Sequence, residues 1–516
     1  MNKTWIIGSR GSDLALWQAR FLEEKLRALG ATCTIRIIKT QGDAIQDLPF
    51  DKLEGKGFFT KEIEEALLAG EIDIAVHSHK DLETSDVPGL VIAGVSYRED
   101  PSELLLVRKE SVDHSMSLAL KKGAVLGTSS ARRKNQTMLF RDDLHIKDLR
   151  GNVPTRVQKL RDGDYDAILL ARAGVDRLKL DLADLHVEVL DVRKFIPPPA
   201  QGVLAFQVRE NDAEARELIG QLNNPEIARI IGLEREVLRL LQGGCQLPLG
   251  VICRKEEDRY AVWASLASQH CHTPRRYFTQ LTDSELTGAR ILEGLVKPVP
   301  AKVLITRELA PDSVFVKLLE SAGVEITCRS YISFAEVGFR DVPSTSWIFF
   351  SSKNAVRFFL GKAGNPHGAK IGAIGAATAA AIRKAGFDVA FTGEGNDTMK
   401  IGKGFAERVG HGTVLFPVSD ISLRNVQQCF PEEQVKDLVT YRTLARNTTP
   451  LPDADALVFT SPSNVKAYLK QHQVHPDQKV IAMGKTTAGV LEDAGVSGVI
   501  LPWGPEEVAL ADAVLS

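Results

Sequence analysis

The sequence predicts an α/β multidomain protein, and three observations lead there. Short apolar strands alternate with amphipathic helices through most of the chain, the rhythm of mainly parallel sheets covered by helices. At 516 residues the chain exceeds what one hydrophobic core serves, and a prior of roughly 150 residues per domain gives three to five domains. The third observation is internal repetition. Gly70-Glu-Ile-Asp-Ile-Ala-Val recurs as Gly163-Asp-Tyr-Asp-Ala-Ile-Leu, which predicts two similar lobes in the first half. Phe350-Ser-Ser-Lys-Asn-Ala-Val pairs with Phe459-Thr-Ser-Pro-Ser-Asn-Val, and Gly375-Ala-Ala-Thr-Ala with Gly484-Lys-Thr-Thr-Ala, both 109 residues apart. The second half is therefore expected to be a duplicated α/β domain facing itself across a cleft.

The first unit is the clearest. Residues 4–7 read as a strand, 8–11 as its turn and Ser12 as an N-cap; Leu14, Trp17, Phe21, Leu22 and Leu26 form the apolar stripe of a helix ending at Gly30. Residues 217–297 lose the α/β rhythm. A helix near 226–241, strands near 248–253 and 260–267 and a last helix near 283–296 predict a small α+β domain. The two prolines of Lys297-Pro-Val-Pro-Ala-Lys302 favour an extended spacer, and the main boundary is placed there, with 298–301 as linker.

Composition excludes several function classes. Hydrophobic residues at 44% and charged residues at 25% are those of an ordinary globular protein. Lys plus Arg number 64 against 66 for Asp plus Glu, so no global field holds the chain on nucleic acid or an anionic membrane. No stretch of 18 apolar residues occurs and the N-terminus lacks an apolar leader core, which predicts a cytoplasmic protein with no membrane partner. The six cysteines, at 33, 245, 253, 271, 328 and 429, show no CxxC spacing, so neither a structural zinc nor a disulfide framework is expected. Oligomeric state is left open, a monomer being compatible with the sequence.

Basic residues of the first half fall at turns after strands, where open α/β sheets bind ligands. They are Arg10, Lys56, Lys80, Arg132, Arg133, Arg150, Arg156 and Arg177. Any one of them is ordinarily a solvated surface charge; eight at strand ends point to a polyanionic substrate, because guanidinium forks suit carboxylates. Asp81 stands among them, after the apolar run Asp73-Ile-Ala-Val. Its plain role is a cap or ion-pair partner; its functional role is to stabilise a developing cation in a partly dehydrated cleft. His77 and His79 are assigned no role, one of them being expected to pack inward. Gly243-Gly-Cys-Gln-Leu-Pro-Leu removes two side chains immediately before Cys245, which makes this the cysteine expected to react, although a lone cysteine is more often a small buried hydrophobe.

Seven motifs in order carry a family resemblance: Ser9-Arg-Gly-Ser-Asp-Leu-Ala-Leu-Trp-Gln-Ala, Gly55-Lys-Gly-Phe-Phe-Thr-Lys-Glu, Asp73-Ile-Ala-Val-His-Ser-His-Lys-Asp, Arg98-Glu-Asp-Pro, Gly127-Thr-Ser-Ser-Ala-Arg-Arg, Leu149-Arg-Gly-Asn-Val-Pro-Thr-Arg and Gly243-Gly-Cys-Gln-Leu-Pro-Leu-Gly. Together they resemble hydroxymethylbilane synthase, also called porphobilinogen deaminase. The resemblance implies two periplasmic-binding-protein-like lobes, residues 1–99 with a return segment 197–216 and residues 100–196, and a third domain, 217–297, carrying the cofactor cysteine. It implies a dipyrromethane cofactor held by Cys245 through a thioether, with Lys80, Ser129, Arg132, Arg133 and Arg150 around it. Asp81 would assist ammonia loss from porphobilinogen and stabilise the azafulvenium cation. Arg10, Ser12, Gln18, Lys56, Arg156 and Arg177 would bind substrate, with Ser130 a further polar neighbour. Four condensations and a hydrolysis would release the linear tetrapyrrole, hydroxymethylbilane. His79 stands where the family commonly has methionine, and Pro198-Pro-Ala-Gln-Gly departs from the usual Pro-Ala-x-Gly-Gln-Gly.

The second half offers hydroxyls at strand ends, Ser351, Ser352, Thr378, Thr460, Ser461, Thr486 and Thr487, many of them ordinary helix caps. Val303-Leu-Ile-Thr-Arg, Phe350-Ser-Ser, Ile374-Gly-Ala-Ala-Thr-Ala, Leu415-Phe-Pro, Val439-Thr-Tyr-Arg-Thr, Phe459-Thr-Ser-Pro-Ser and Met483-Gly-Lys-Thr-Thr-Ala resemble uroporphyrinogen-III synthase. This implies a lyase that closes hydroxymethylbilane with inversion of the last ring, with domains 302–335 plus 445–516 and 336–444. Ser352, Thr378, Ser461 and Thr487 would bind substrate. Tyr441 would help the hydroxyl leave, the alternative being a tyrosine packed in a connecting ladder. Three competing readings are weighed: a deaminase whose second half is inactive or binds a partner; a two-lobed anion receptor, which leaves the Gly-Gly-Cys segment unexplained; and a nucleic-acid binder, which the net charge of −2 opposes.

Overall fold

The helix Asp13–Ala28 opens on Ser12, whose hydroxyl accepts from the Ala15 amide at 3.4 Å, and it buries Gln18, Ala19, Leu22 and Leu26. Its buried face thus includes a polar residue, while Trp17 and Phe21 stack half-buried beside it with ring centroids 5.6 Å apart. In the computed structural model the described residues are 3–40, 60–85, 87–243, 247–269, 272–363, 368–395, 397–447, 450 and 452–516. They pack as two units that divide between Pro298 and Val299.

Among the described residues the first unit holds three sheets. In the first, the strand order is Thr32–Ile37, Thr4–Ser9, Ile74–Ser78, Leu204–Arg209, Leu90–Val95. The first three are parallel, and Leu204–Arg209 runs antiparallel between its two neighbours. The second sheet repeats that plan: His145–Lys147, Val125–Gly127 and Ala167–Ala171 are parallel, and Glu103–Arg108 runs antiparallel between Ala167–Ala171 and Leu185–Leu190. Gly70 and Gly163, which open the repeated motif, both take positive φ, +73° and +89°, where a side chain is disfavoured and glycine ends a helix without strain.

The third sheet is an antiparallel meander, Leu249–Glu256, Arg259–Leu266 and Arg275–Leu281, covered by the helices Pro225–Leu240 and Gly288–Val296. The strand Arg275–Leu281 was not anticipated because its polar residues hide the alternation. Two sequence expectations need correction here. The boundary after residue 216 falls inside the helix Ala213–Gly220, whose Ala215 and Ile219 pack in the core of the first sheet, so that helix belongs with the first lobe. The final helix begins at Gly288, preceded by a separate short turn, Asp283–Glu285.

The second unit holds two sheets. One is all parallel: Glu325–Cys328, Lys302–Ile305, Ala456–Phe459, Lys479–Ala482. The other runs Ile332–Glu336, Val435–Ala445, Val414–Ser419, Trp347–Phe350, Lys370–Ala373, Phe391–Thr392, antiparallel only at Ile332–Glu336. The expected boundary after residue 335 therefore cuts a strand of the second sheet, and the division lies before Ile332. Trp347–Phe350 and Ala456–Phe459, Lys370–Ala373 and Lys479–Ala482, and Ala376–Lys384 and Lys485–Asp493 stand 109 residues apart, element by element (347 to 456, 370 to 479, 376 to 485). Among the described residues no helix is long and apolar enough to cross a membrane.

Candidate active site

The strand Ile74–Ser78 is buried along nearly its whole length and ends in a tight turn, His79–Asp81. Within that turn His79 is buried and Asp81 exposed. Lys80 donates to Gln201 Oε1 at 3.2 Å, and Gln201 Nε2 donates onward to the Pro101 carbonyl at 2.8 Å. Burial draws the Lys80 ammonium below the ordinary lysine range; the Asp81 carboxylate opposes this, and Arg133, Glu103 and Arg132 also act on it.

Arg132 and Arg133 lie on the helix Ala131–Phe140, capped by Ser130, which accepts from the Arg133 amide at 3.5 Å. Both guanidiniums meet one carboxylate, Glu103, which has no exposed surface: Arg132 Nη2 donates to Oε1 at 2.5 Å and Arg133 Nη2 to Oε2 at 2.6 Å. Backbone carbonyls take a second N–H from each, Ile196 from Arg132 at 3.0 Å and Leu169 from Arg133 at 2.9 Å. Burial alone would raise the Glu103 carboxyl, but Arg133 and Arg132 outweigh it and hold it at about 2. Burial lowers Arg132 to about 10 against the pull of Glu103, which leaves it charged at neutral pH.

Ser129 accepts from the Leu149 amide and donates to the Leu149 carbonyl, both at 3.0 Å, and so pins the turn that carries Arg150. Arg156 Nε donates to the Gly151 carbonyl at 2.7 Å. Burial, then Arg133 and Arg150, lower Arg156 to about 10, while Asp81 favours its charge. Asp81, Lys80, Glu103, Arg132, Arg133, Arg150 and Arg156 therefore form one electrostatic group drawn from both five-stranded sheets. Gln18 Nε2 donates to Ser78 Oγ at 2.8 Å, immediately before the Asp81 turn. Arg10 is half-buried in the loop after Thr4–Ser9.

In the second unit, Tyr441 sits on the long strand Val435–Ala445 and is buried, stacked on Phe358 at 5.2 Å and edge-on to Phe334 at 5.6 Å. Its hydroxyl lies 3.1 Å from Ser352 Oγ, which also accepts from the Ala355 amide at 3.1 Å. Burial pushes the Tyr441 phenol up, with hydrogen bonds from Ser352 and Ser419 working against it. Thr378 and Thr487 are buried at the starts of the helices Ala376–Lys384 and Lys485–Asp493, each opening on an extended glycine, Gly375 or Gly484. Ser461 caps Pro462–Leu469, accepting from the Asn464 amide at 3.2 Å.

Comparison with known proteins decides the family. Residues 5–217 match the family model described as "Porphobilinogen deaminase, dipyromethane cofactor binding domain". Porphobilinogen deaminase of Helicobacter hepaticus is 43% identical over 260 residues, covering 50% of this chain and 79% of that protein. The Sulfurimonas denitrificans deaminase is 40% identical over 307 residues, covering 58% of this chain and 94% of that protein. The chain belongs to the porphobilinogen deaminase family. Residues 313–512 match the family model "Uroporphyrinogen-III synthase HemD". A solved uroporphyrinogen-III synthetase from Helicobacter pylori aligns at 20% identity and a TM-score of 0.33, over 42% of this chain and 98% of that one. A deaminase domain and a uroporphyrinogen-III synthase domain thus stand on one polypeptide, a transferase and a lyase of tetrapyrrole biosynthesis. Residues 5–217 correspond to the dipyrromethane cofactor-binding domain of the deaminase family.

Within the deaminase half, the other residues anticipated from sequence beside Arg10, Gln18 and Ser129 divide into three sets. Lys80, Asp81, Arg132, Arg133, Arg150 and Arg156 share one field. Arg177 and Ser12 also make structural contacts: Arg177 donates to the Gly202 carbonyl at 2.8 Å and lies 5.4 Å over the Trp17 ring, with its Nε buried and without a hydrogen-bond partner, and Ser12 is a helix cap. Lys56 and Cys245 lie outside the described residues. Both histidines of the third motif are buried, which corrects the expectation that one packs inward. Residues two apart share a face of a strand, and Ile74, Ala75, Val76 and His77 are all buried, so both faces of this strand are covered and the turn keeps His79 inside as well.

Sequence reasoning missed Glu103, the shared partner of the two arginines, and Gln201, the partner of Lys80. For Glu103 a signal was present. A lone acid at the head of the apolar run Glu103-Leu-Leu-Leu-Val is costly unless paired, and two adjacent arginines wait without acids beside them. Gln201 carried no such signal, since only the tertiary fold brings it to Lys80.

Proposed function

We propose that the deaminase half joins four porphobilinogen molecules into hydroxymethylbilane on a dipyrromethane bound to Cys245, and that the synthase half closes the product to uroporphyrinogen III. Four ammonia molecules leave and one water enters in the first reaction; one water leaves in the second. The observation that carries this reading is the electrostatic group around Asp81: an exposed carboxylate at a turn that acts on Lys80 and Arg156, both of which also lie in the field of Arg133, and Arg156 in that of Arg150 as well.

The residues present fit the cofactor. Its pyrrole rings carry carboxylates, and the group that would receive them is cationic, with Arg133 Nε buried and without a hydrogen-bond partner. Lys80, Ser129, Arg132, Arg133 and Arg150 would hold it. When bound, it supplies the pyrrole carbon to which the first substrate is joined. Arg10, Ser12, Gln18, Lys56, Arg156 and Arg177 would bind the acetate and propionate groups of porphobilinogen. Glu103 fixes both guanidiniums in place while leaving the cluster net positive. Asp81 would stabilise the cation left on the substrate when ammonia departs, once bound substrate covers this exposed carboxylate and displaces water from it.

In the synthase half, Tyr441 would donate a proton to the departing hydroxyl, with Ser352 Oγ at 3.1 Å orienting its phenol. Thr378, Ser461 and Thr487 would bind substrate carboxylates through hydroxyls and helix starts. The domain assignment we propose is two lobes, 1–99 with 197–220 and 100–196, a cofactor-cysteine domain to residue 297, and a duplicated synthase, 302–331 with 446–516 and 332–445. The 109-residue offset supports the duplication. The reactions are placed in the cytoplasm, where thiols stay reduced; Cys33, Cys253, Cys328 and Cys429 form no disulfides.

The intact mass of freshly purified protein under denaturing conditions tests the first reading. It should exceed the sequence mass by two pyrrole units, because a thioether survives denaturation. The Cys245→Ser variant should lose both that increment and porphobilinogen consumption. An unmodified, fully active protein refutes the assignment.

A further inference from the structure

The turn that carries Asp81 is gripped from outside its own lobe. Arg235, on the helix Pro225–Leu240, donates from Nη1 to the carbonyls of His79 at 3.0 Å and Leu82 at 3.2 Å, and from Nη2 to the carbonyl of Glu83 at 2.6 Å. The two carbonyls on Nη1 belong to residues on either side of Lys80 and Asp81. One residue further on, Thr84 Oγ1 donates to the Gly243 carbonyl at 3.4 Å. Gly243 precedes Cys245 by two residues, and the helix bearing Arg235 leads directly into that segment.

The orientation of Arg235 is itself fixed. Its neighbour Glu234 has no exposed surface and accepts from Arg98 at 2.7 and 3.1 Å, from the Ala200 amide at 2.8 Å and from the Cys253 amide at 2.9 Å. These bonds lock the helix in rotation, so the guanidinium of Arg235 is presented to the turn at one angle. On the turn's other side, the His79 amide donates to the Val203 carbonyl at 2.9 Å, and Lys80 donates to Gln201. Asp81 therefore projects from a backbone clamped between its own sheet and the domain of the cofactor cysteine.

We infer that Arg235 is a positioning residue of the deaminase reaction, holding the Asp81 carboxylate at a set place relative to the domain that bears Cys245. This rests on the proposed role of Asp81. The chemistry requires such a tie. The cation stabilised by Asp81 must form where the growing chain can attack it, and a displacement near 1 Å is enough to cost about a hundredfold in rate. Arginine suits the task because a planar fork reaches three carbonyls at once, which a lysine ammonium on a flexible stem does not reproduce.

The test uses the full-length holoenzyme with porphobilinogen as substrate, in the variants Arg235→Lys and Arg235→Ala. Both should melt cooperatively within a few degrees of the wild type and keep the wild-type mass increment over their own sequence mass under denaturing conditions. Their kcat should fall at least about tenfold while KM stays within about twofold, since substrate-binding groups are untouched. Millimolar guanidinium should restore part of the Arg235→Ala rate, and ammonium should not. Full kcat in either folded variant overturns the inference, as does a KM rise that accounts for the loss; two variants that fail to fold would make Arg235 a folding residue and overturn it too. The underlying reading is tested separately: an active Asp81→Ala variant refutes the role of Asp81, whereas an inactive one beside fully active Arg235 variants refutes only the tie.

Discussion

Glu103 and Arg132 are joined by a 2.5 Å hydrogen bond that solvent does not reach, the carboxylate side chain having 0% and the guanidinium side chain 5% of its surface exposed. Arg133 occupies the other oxygen. Such a triad contributes less to stability than its geometry suggests, because desolvation offsets much of the attraction. Its removal is another matter. Glu103→Gln leaves two buried guanidiniums without a counter-charge and should destabilise the first unit by about 3 to 5 kcal/mol. Urea unfolding of the variant against the wild type measures this, and a loss below 1 kcal/mol would mean that water or a rearranged partner compensates the arginines.

A second expectation concerns acid. His77 is fully buried beside Gln207, at 3.1 Å, and burial lowers it to about 4, with that hydrogen bond opposing. The unfolded chain binds a proton near the ordinary value of 6.5, the folded chain only near 4, so the unfolded state holds more protons throughout that window. Stability from this group is present above 6.5 and is lost as pH falls from 6.5 to 4, by about 3 kcal/mol. Glu103, held at about 2, has a depressed carboxyl, and its contribution disappears as pH falls from about 4.5 toward 2. His79, which burial lowers to about 3, loses stability over the same window. In chemical unfolding measured from pH 7 to 4.5, the wild type should therefore weaken steeply, His77→Gln roughly half as much and the double variant His77→Gln/His79→Gln least. Parallel curves for the wild type and His77→Gln would show that His77 does not govern this limb.

Asp81→Ala should leave the fold and the cofactor mass in place and lower kcat and kcat/KM together, by a factor on the order of 10² or more. Steady-state kinetics with porphobilinogen separates this from a binding role. A raised KM with unchanged kcat would make Asp81 one more contact for substrate.

The last expectation concerns the fusion. Hydroxymethylbilane closes unaided without inverting its last ring, so the wild type given porphobilinogen should yield mainly the type III isomer. A chain ending at Pro298, where the two units divide, should consume porphobilinogen at nearly the same rate but give type I. Tyr441→Phe should switch the product only in part, since one hydroxyl in a positioning site is worth a few kcal/mol at most. Chromatographic separation of the isomers reads all three. Type I from the intact chain would favour a second half that is inactive or binds a partner.

Several features of this protein were legible in its residues alone. The two halves and the α/β rhythm follow from hydrophobic period and from glycines such as Gly70 and Gly163, which stand where the backbone takes a positive φ that other residues avoid, each a local property that neighbours in sequence impose. Asp81 and the basic residues around it were legible for the same reason, as charged residues at the ends of apolar strands. Only the tertiary structure decided what those charges meet. Glu103 is 29 residues from Arg132, Gln201 is 121 from Lys80 and Arg235 is 156 from His79, and no local pattern encodes such pairings. Burial then distinguishes them: Arg177 meets the Gly202 carbonyl and the Trp17 ring, while Arg156 lies in the field of Asp81. A buried charge must find its partner wherever the fold brings one, so the partner is a property of the packed chain and not of the motif.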